Sequence, residues 1–110
     1  MDKRANQLQQ GDVLITKINA MPIGGKPVKP AARGFVIAEG EATGHAHTLE
    51  PGAVVAITVD EEGVIYAQIA RQVNLLHEEH NPVSLDPGVY RFGRVQEYDH
   101  FSEEARSVAD

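Results

Sequence analysis

The sequence, 110 residues long, has no cysteine, no tryptophan and only 5% aromatic residues. Without cysteine there are no disulfides and no thiolate metal ligands, so redox chemistry does not decide the compartment. With so few aromatics, a core has to rest mainly on Val, Ile, Leu and Ala. No apolar run approaches the roughly 20 residues that cross a bilayer, and the first residues are polar and charged. Neither a membrane span nor a secretory signal is therefore expected, and cytoplasm is the default location. A phosphate-cradling loop is missing too, since Ile23-Gly24-Gly25-Lys26-Pro27 lacks the P-loop spacing and a following helix. Ser84, Ser102 and Ser107 lie in no nucleophile elbow, which argues against serine hydrolysis.

Positive charge is also scarce, with a net charge of −6. An acidic chain makes a poor general nucleic-acid binder, because phosphate attraction needs a concentrated positive surface. Nor are the six aromatics interleaved with basic residues as a base-stacking platform requires. The charges are uneven: of the acidic residues only Asp2 and Asp12 precede Val36, whereas Lys17, Lys26, Lys29 and Arg33 all do. That basic stretch is read first as solvated loop lysines. Other readings are one half of a self-complementary interface and a surface for an acidic partner.

What is present is ordinary for a globular protein, with 42% hydrophobic and 24% charged residues. One domain over 1–110 is expected, with 1–10 and 99–110 as candidate flexible ends. Turn residues recur densely at Gly24-Gly25, Pro51-Gly52, Asp60-Glu61-Glu62-Gly63, Asn81-Pro82 and Asp86-Pro87-Gly88. Between them lie short segments rich in β-branched residues. Asp12–Ile18, Gly34–Ala38, Thr43–Leu49, Ala53–Val59, Val64–Ile69, Gln72–His77 and Val89–Tyr98 read as strands. The fourth and fifth flank a four-residue turn and predict a hairpin. In the last, Tyr90 and Phe92 share one face, with Arg91, Val95 and Glu97 on the other. Residues 19–33 are too broken by Pro and Gly for a strand or helix and read as a long loop. Ser102-Glu103-Glu104 can cap a short C-terminal helix. The expectation is an all-β fold, a small barrel or sandwich of about seven short strands.

Four of the five histidines fall in two clusters, Thr43-Gly44-His45-Ala46-His47 and Leu76-His77-Glu78-Glu79-His80. Imidazole is the commonest metal-binding side chain, and a site needs three or four ligands converging from separate parts of a fold. On a strand, His45 and His47 leave the same face roughly 7 Å apart, a spacing that lets both reach one ion. Glu41 and Glu50 bracket them as candidate ligands or partners for an imidazole N–H. A turn after Leu76 would bring His77 and His80 together, whereas a continuing strand would align His77 with Glu79. The helical zinc-protease motif does not apply, because the second histidine comes one residue too early.

If the clusters meet, His45, His47, His77 and His80 form the metal ligands. Such a set suits Zn, Ni, Fe, Mn or Cu, and ligand type does not choose among them. Three ligands and an open position would allow a metal-bound water to act as nucleophile, with Glu79 as general base. Four closed imidazoles would be structural or for storage. Whether the protein is an enzyme stays open. Against this stands a bland reading, in which the histidines are exposed, or bonded to backbone in a turn or interface. A non-catalytic assembly module could then form homo-oligomers through exposed edge strands. His100, beside Asp99, reads as an exposed residue.

The run Gly40-Glu41-Ala42-Thr43-Gly44-His45-Ala46-His47, followed by Glu50 and Gly52, resembles the first cupin motif. That resemblance implies a β-barrel with His45, His47 and Glu50 as metal ligands. Glu50 follows more closely than in the motif, and no second cupin motif appears. A broader likeness is to small proteins of bacteria and their phages. They share Gly-Glu-x-Thr-Gly-His-x-His, then Val-or-Leu-x-His-Glu-Glu-His-x-Pro, a Pro-Gly-x-Tyr strand and an Arg-or-Gln-Glu-Tyr ending. Here these are Gly40–His47, Leu75–Pro82, Pro87–Tyr90 and Gln96–Tyr98. The likeness implies one β domain and no particular activity.

Overall fold

A computed structural model describes residues 7–39 and 45–94. The fold is all-β. Ten strands follow in order: β1 (Gln7–Gln10), β2 (Val13–Ile18), β3 (Lys26–Pro27), β4 (Phe35–Glu39), β5 (Ala46–Leu49), β6 (Val54–Val59), β7 (Ile65–Ile69), β8 (Val73–Leu76), β9 (Val83–Leu85) and β10 (Gly88–Arg94). They form two sheets, ordered β1-β2-β10-β7-β6-β3 and β4-β5-β8-β9. Every pairing is antiparallel. Neither sheet closes into a barrel.

Alternation decides which face each strand buries. On β10, Tyr90 and Phe92 are buried, while Val89, Arg91 and Gly93 between and around them are only partly so. Register then aligns Phe92 with Ile15 of β2 on one side and Ile65 of β7 on the other. In the smaller sheet a second row runs Phe35, Leu49, Leu75 and Val83, one residue from each strand. Leu49, Leu75 and Leu85 are fully buried, and they join Val13, Ile15, Ile69 and Phe92 in one core fed by both sheets. Each such side chain contributes on the order of 1.5–3 kcal/mol by leaving water. The Tyr90 hydroxyl, half-way into this interior, donates to the Asp86 carbonyl at 2.8 Å.

All seven expected strands form, with ends that shift by a residue or two, except that Thr43–Leu49 is seen as Ala46–Leu49; its residues 43–44 and the continuation of Val89–Tyr98 beyond Arg94 lie outside the described residues. The β6–β7 hairpin forms as expected. Asp60 organises its turn by accepting the Glu62 and Val64 amides on Oδ1 at 2.9 Å each. Three expectations need correction. The strands number ten rather than about seven. The stretch 19–33 contains a two-residue strand, Lys26–Pro27, paired with Val59 and Thr58 on the β6 edge, where a proline needs no ladder partner on its outer side. The N-terminal residues 7–10 are an edge strand, whose last residue, Gln10, is buried at 2% exposure. The expected C-terminal helix and His100 lie outside the described residues. Among the described residues, no helix is long and apolar enough to cross a membrane.

Candidate metal centre

The β5–β8 pairing sets the position of the histidines. Thr48 pairs with Leu76 and Leu49 with Leu75. Continuing that register past the end of β8 sets His77 opposite His47 and Glu79 opposite His45. His47 shares the face of Leu49, and His77 that of Leu75, by the two-residue period of a strand. The imidazoles therefore form the next cross-strand pair on the same face that builds the apolar core. Where the β8 backbone stops pairing, a side chain replaces it: Glu78 Oε1 accepts the Ala46 N–H at 2.9 Å.

All four histidines converge. The His77 ring centroid lies 4.4 Å from that of His47, 4.7 Å from His80 and 5.8 Å from His45. His80 stacks at 6.1 Å from His47, and its Nε2 would stand 2.6 Å from a Cβ placed on Gly11 in the β1–β2 turn. That turn needs φ of +57° at Gly11, so glycine meets both a backbone and a packing demand there. The bend after β8 supplies the proximity of His77 and His80, as a turn there would.

Donor atoms of His45, His77 and Glu78 all lie within 4.8 Å of one another. Glu78 was not among the residues the sequence singled out. Its Oε2 accepts from Arg33 Nη1 at 3.0 Å. The Ala46 amide, with Glu78's own amide and Arg33 beside it, draws its carboxyl down from 4.5 to about 2. Glu79, the expected proton acceptor, is largely exposed, with Oε2 3.6 Å from His45 Nδ1. Its backbone N–H donates to His77 Nδ1 at 3.0 Å, so a neutral His77 ring carries its proton on Nε2. Beside this group opens a cleft of about 210 Å³ lined by Arg33, Ala46, Thr48, Leu76, His77 and Glu78.

His47 is the buried member, with 1% exposure. Its Nδ1 sits 2.8 Å from Gln10 Oε1, and its Nε2 3.3 Å from Asp12 Oδ1. Burial first, then the adjacent His77, lowers its pKa below 6.5 against the pull of Asp12. Gln10 also donates through Nε2 to the carbonyls of Leu75 at 2.8 Å and Asn81 at 2.9 Å. Asp12 in turn accepts from Arg94 Nη1 on Oδ2 at 3.1 Å. Sequence reading missed Gln10 and Asp12. Their only signal was a Gly-Asp turn before a β-branched run, which reads as a hairpin start rather than a site. Glu50 is placed elsewhere: Oε1 accepts the Asn74 amide at 2.8 Å, fastening β8 beside the far end of β5. Glu41 lies outside the described residues.

Residues 9–95 match a family described as Domain of unknown function (DUF8820). The chain belongs to that family. The matched span includes each of the side chains just described, from Gln10 to Arg94. No curated protein and no solved structure matches the chain.

Proposed function

We propose that this end of the molecule binds one divalent transition metal ion, with His45, His77 and Glu78 as the nearest donors and His47 and His80 beside them. The observation that carries the reading is the mutual approach of those three donor atoms within 4.8 Å, drawn from two separate segments of chain. Two imidazoles and a carboxylate form an N/O set suited to Zn, Ni, Fe or Mn. A preformed group binds more tightly than one that must be ordered, since less conformational entropy is lost on capture. One local cost is visible. Ligation through His77 Nδ1 gives up the bond from the Glu79 amide, about 1 kcal/mol that the metal bond has to exceed.

When bound, such an ion supplies Lewis-acid character next to the Arg33-lined cleft. Arg33 holds Glu78 in place there, and the Glu79 carboxylate is exposed 3.6 Å from His45 Nδ1, which suits it to accept a proton. The chemistry supported best is thus ion binding, with Glu79 as the group through which a hydrolytic step would run.

The test is titration of metal-free protein with Zn²⁺ and Ni²⁺, followed by elemental analysis and thermal melting. Wild type is expected to take up one equivalent and to gain stability. At a free ion concentration 100 times the dissociation constant, the gain is about 2.7 kcal/mol. Both His45→Ala and His77→Ala should lose the bound ion. Wild type free of stoichiometric metal, with an unmoved melting curve, overturns the proposal.

A further inference from the structure

The hydrogen bonds around Gln10 leave a pair of acceptors facing each other. Gln10 Nε2 lies between two carbonyl oxygens, Leu75 O and Asn81 O, which accept both of its protons. A flipped amide would put Oε1 against those oxygens, so the orientation is forced. Oε1 is then an acceptor for His47, and the only proton that can fill the 2.8 Å contact is the one on His47 Nδ1. A neutral imidazole carries one proton, so Nε2 is left with a bare lone pair. That lone pair faces Asp12 Oδ1, which is also an acceptor, at 3.3 Å. Asp12 Oδ2 is occupied by Arg94, whose second Nη donates to the Glu39 carbonyl, so the carboxylate is held from behind.

Two acceptors at this spacing need a positive centre between them, either a second proton on His47 or a metal ion; the His77 and His80 rings, with centroids 4.4 Å and 6.1 Å from that of His47, crowd a protonated imidazole and suit an ion. Donors about 2.0–2.2 Å from one ion, set at a tetrahedral angle, stand roughly 3.4 Å apart. From this geometry we infer that His47 Nε2 and Asp12 Oδ1 are metal ligands and that Gln10 is the positioning residue that locks His47 in its ligating tautomer. The inference rests on the metal-binding reading above and extends it: His47 and Asp12 stand outside the three-donor group of His45, His77 and Glu78 and would add a second carboxylate, from the β1–β2 turn, to this end of the molecule. A ligating imidazole whose other nitrogen donates to a fixed acceptor is the usual arrangement, because that bond sets both tautomer and ring orientation. Here the acceptor is a carboxamide rather than a carboxylate, which leaves the net charge of the site unaltered.

The experiment is a Zn²⁺ titration of wild type and Asp12→Asn, together with ¹⁵N spectra of the His47 ring. The expected result is at least tenfold weaker binding in Asp12→Asn, with the metal-free melting temperature moved by no more than a few degrees. Wild-type spectra should show His47 protonated on Nδ1 without metal and a coordination shift at Nε2 on adding Zn²⁺. If wild type binds Zn²⁺ and Asp12→Asn binds it equally well, the Asp12 assignment falls and the His45–His77–Glu78 centre stands. If wild type binds none, both fall. Should Asp12→Asn fail to fold, the wild-type spectra decide alone: a proton on Nε2, or no shift there with metal bound, overturns the inference.

Discussion

Replacing Gln10 by alanine removes three contacts at once. Two of the groups abandoned, the Leu75 carbonyl and His47 Nδ1, are buried, whereas the Asn81 carbonyl is partly exposed and can turn to water. Leaving a buried donor or acceptor unpaired costs about 1–3 kcal/mol each, so the expected loss is about 2–6 kcal/mol. In a domain of this size that is a fall of roughly 10 °C or more in melting temperature. Most of that range lies below the roughly 5–15 kcal/mol by which native domains are stable. Gln10→Glu should be as damaging at neutral pH, because a carboxylate accepts and cannot donate to the two carbonyls. The neighbouring Gln9→Ala is the control. Gln9 is exposed and, among the described residues, donates to the Gly11 carbonyl alone, so its loss should stay within about 0.5 kcal/mol. Urea unfolding of the three variants measures the difference. A loss below about 1 kcal/mol for Gln10→Ala would refute the reasoning, and with it the forced tautomer of His47.

Other outcomes follow from the same geometry. Gly11→Ala meets a left-handed backbone, costing about 1–2 kcal/mol, and a Cβ 2.6 Å from His80 Nε2, so it should lower stability and displace His80; calorimetry and the His80 ring resonances check both. Leu75→Ala empties a fully buried position two residues before His77 on the same face, and should cost about 2–5 kcal/mol, whereas Ile23→Ala, at a fully exposed position, should leave the unfolding midpoint unchanged. Acid should weaken the metal-free fold in two stages. His47, with its pKa lowered from 6.5, contributes stability that is full above 6.5 and declines as the unfolded chain takes up protons below it. Glu78, lowered from 4.5 to about 2, contributes stability present above 4.5 and lost as pH falls toward 2. Denaturation across pH 7 to 2 reads both, and Glu78→Gln should flatten the lower stage only.

The seven strands legible in the sequence are those with β-branched residues between turn signals, such as Val54–Val59 and Ile65–Ile69 around Asp60. The three that escaped have other causes. Gln7–Gln10 has no β-branched residue, and its edge position is set by pairing with β2, a tertiary effect. Lys26–Pro27 is held only by the β6 edge, and Val83–Leu85 is too short to show alternation. Of the centre, the histidines could be found because imidazoles at close spacing are rare, and the chain brings all four together. The carboxylates could not be sorted by position alone. Glu79 was singled out by its alternation with His77, yet the turn gives Glu78 the donor position, since its Oε1 is drawn to the Ala46 amide. Asp12 and Gln10 reach His47 across gaps of 35 and more residues, which no local pattern encodes.

That His47 and His77 continue the faces of Leu49 and Leu75 has a consequence for register. A one-residue slip of β8 would turn the His77 ring outward and, in the same movement, expose Leu75 to water. The packing that keeps Leu49 and Leu75 out of water therefore also holds the two imidazoles side by side.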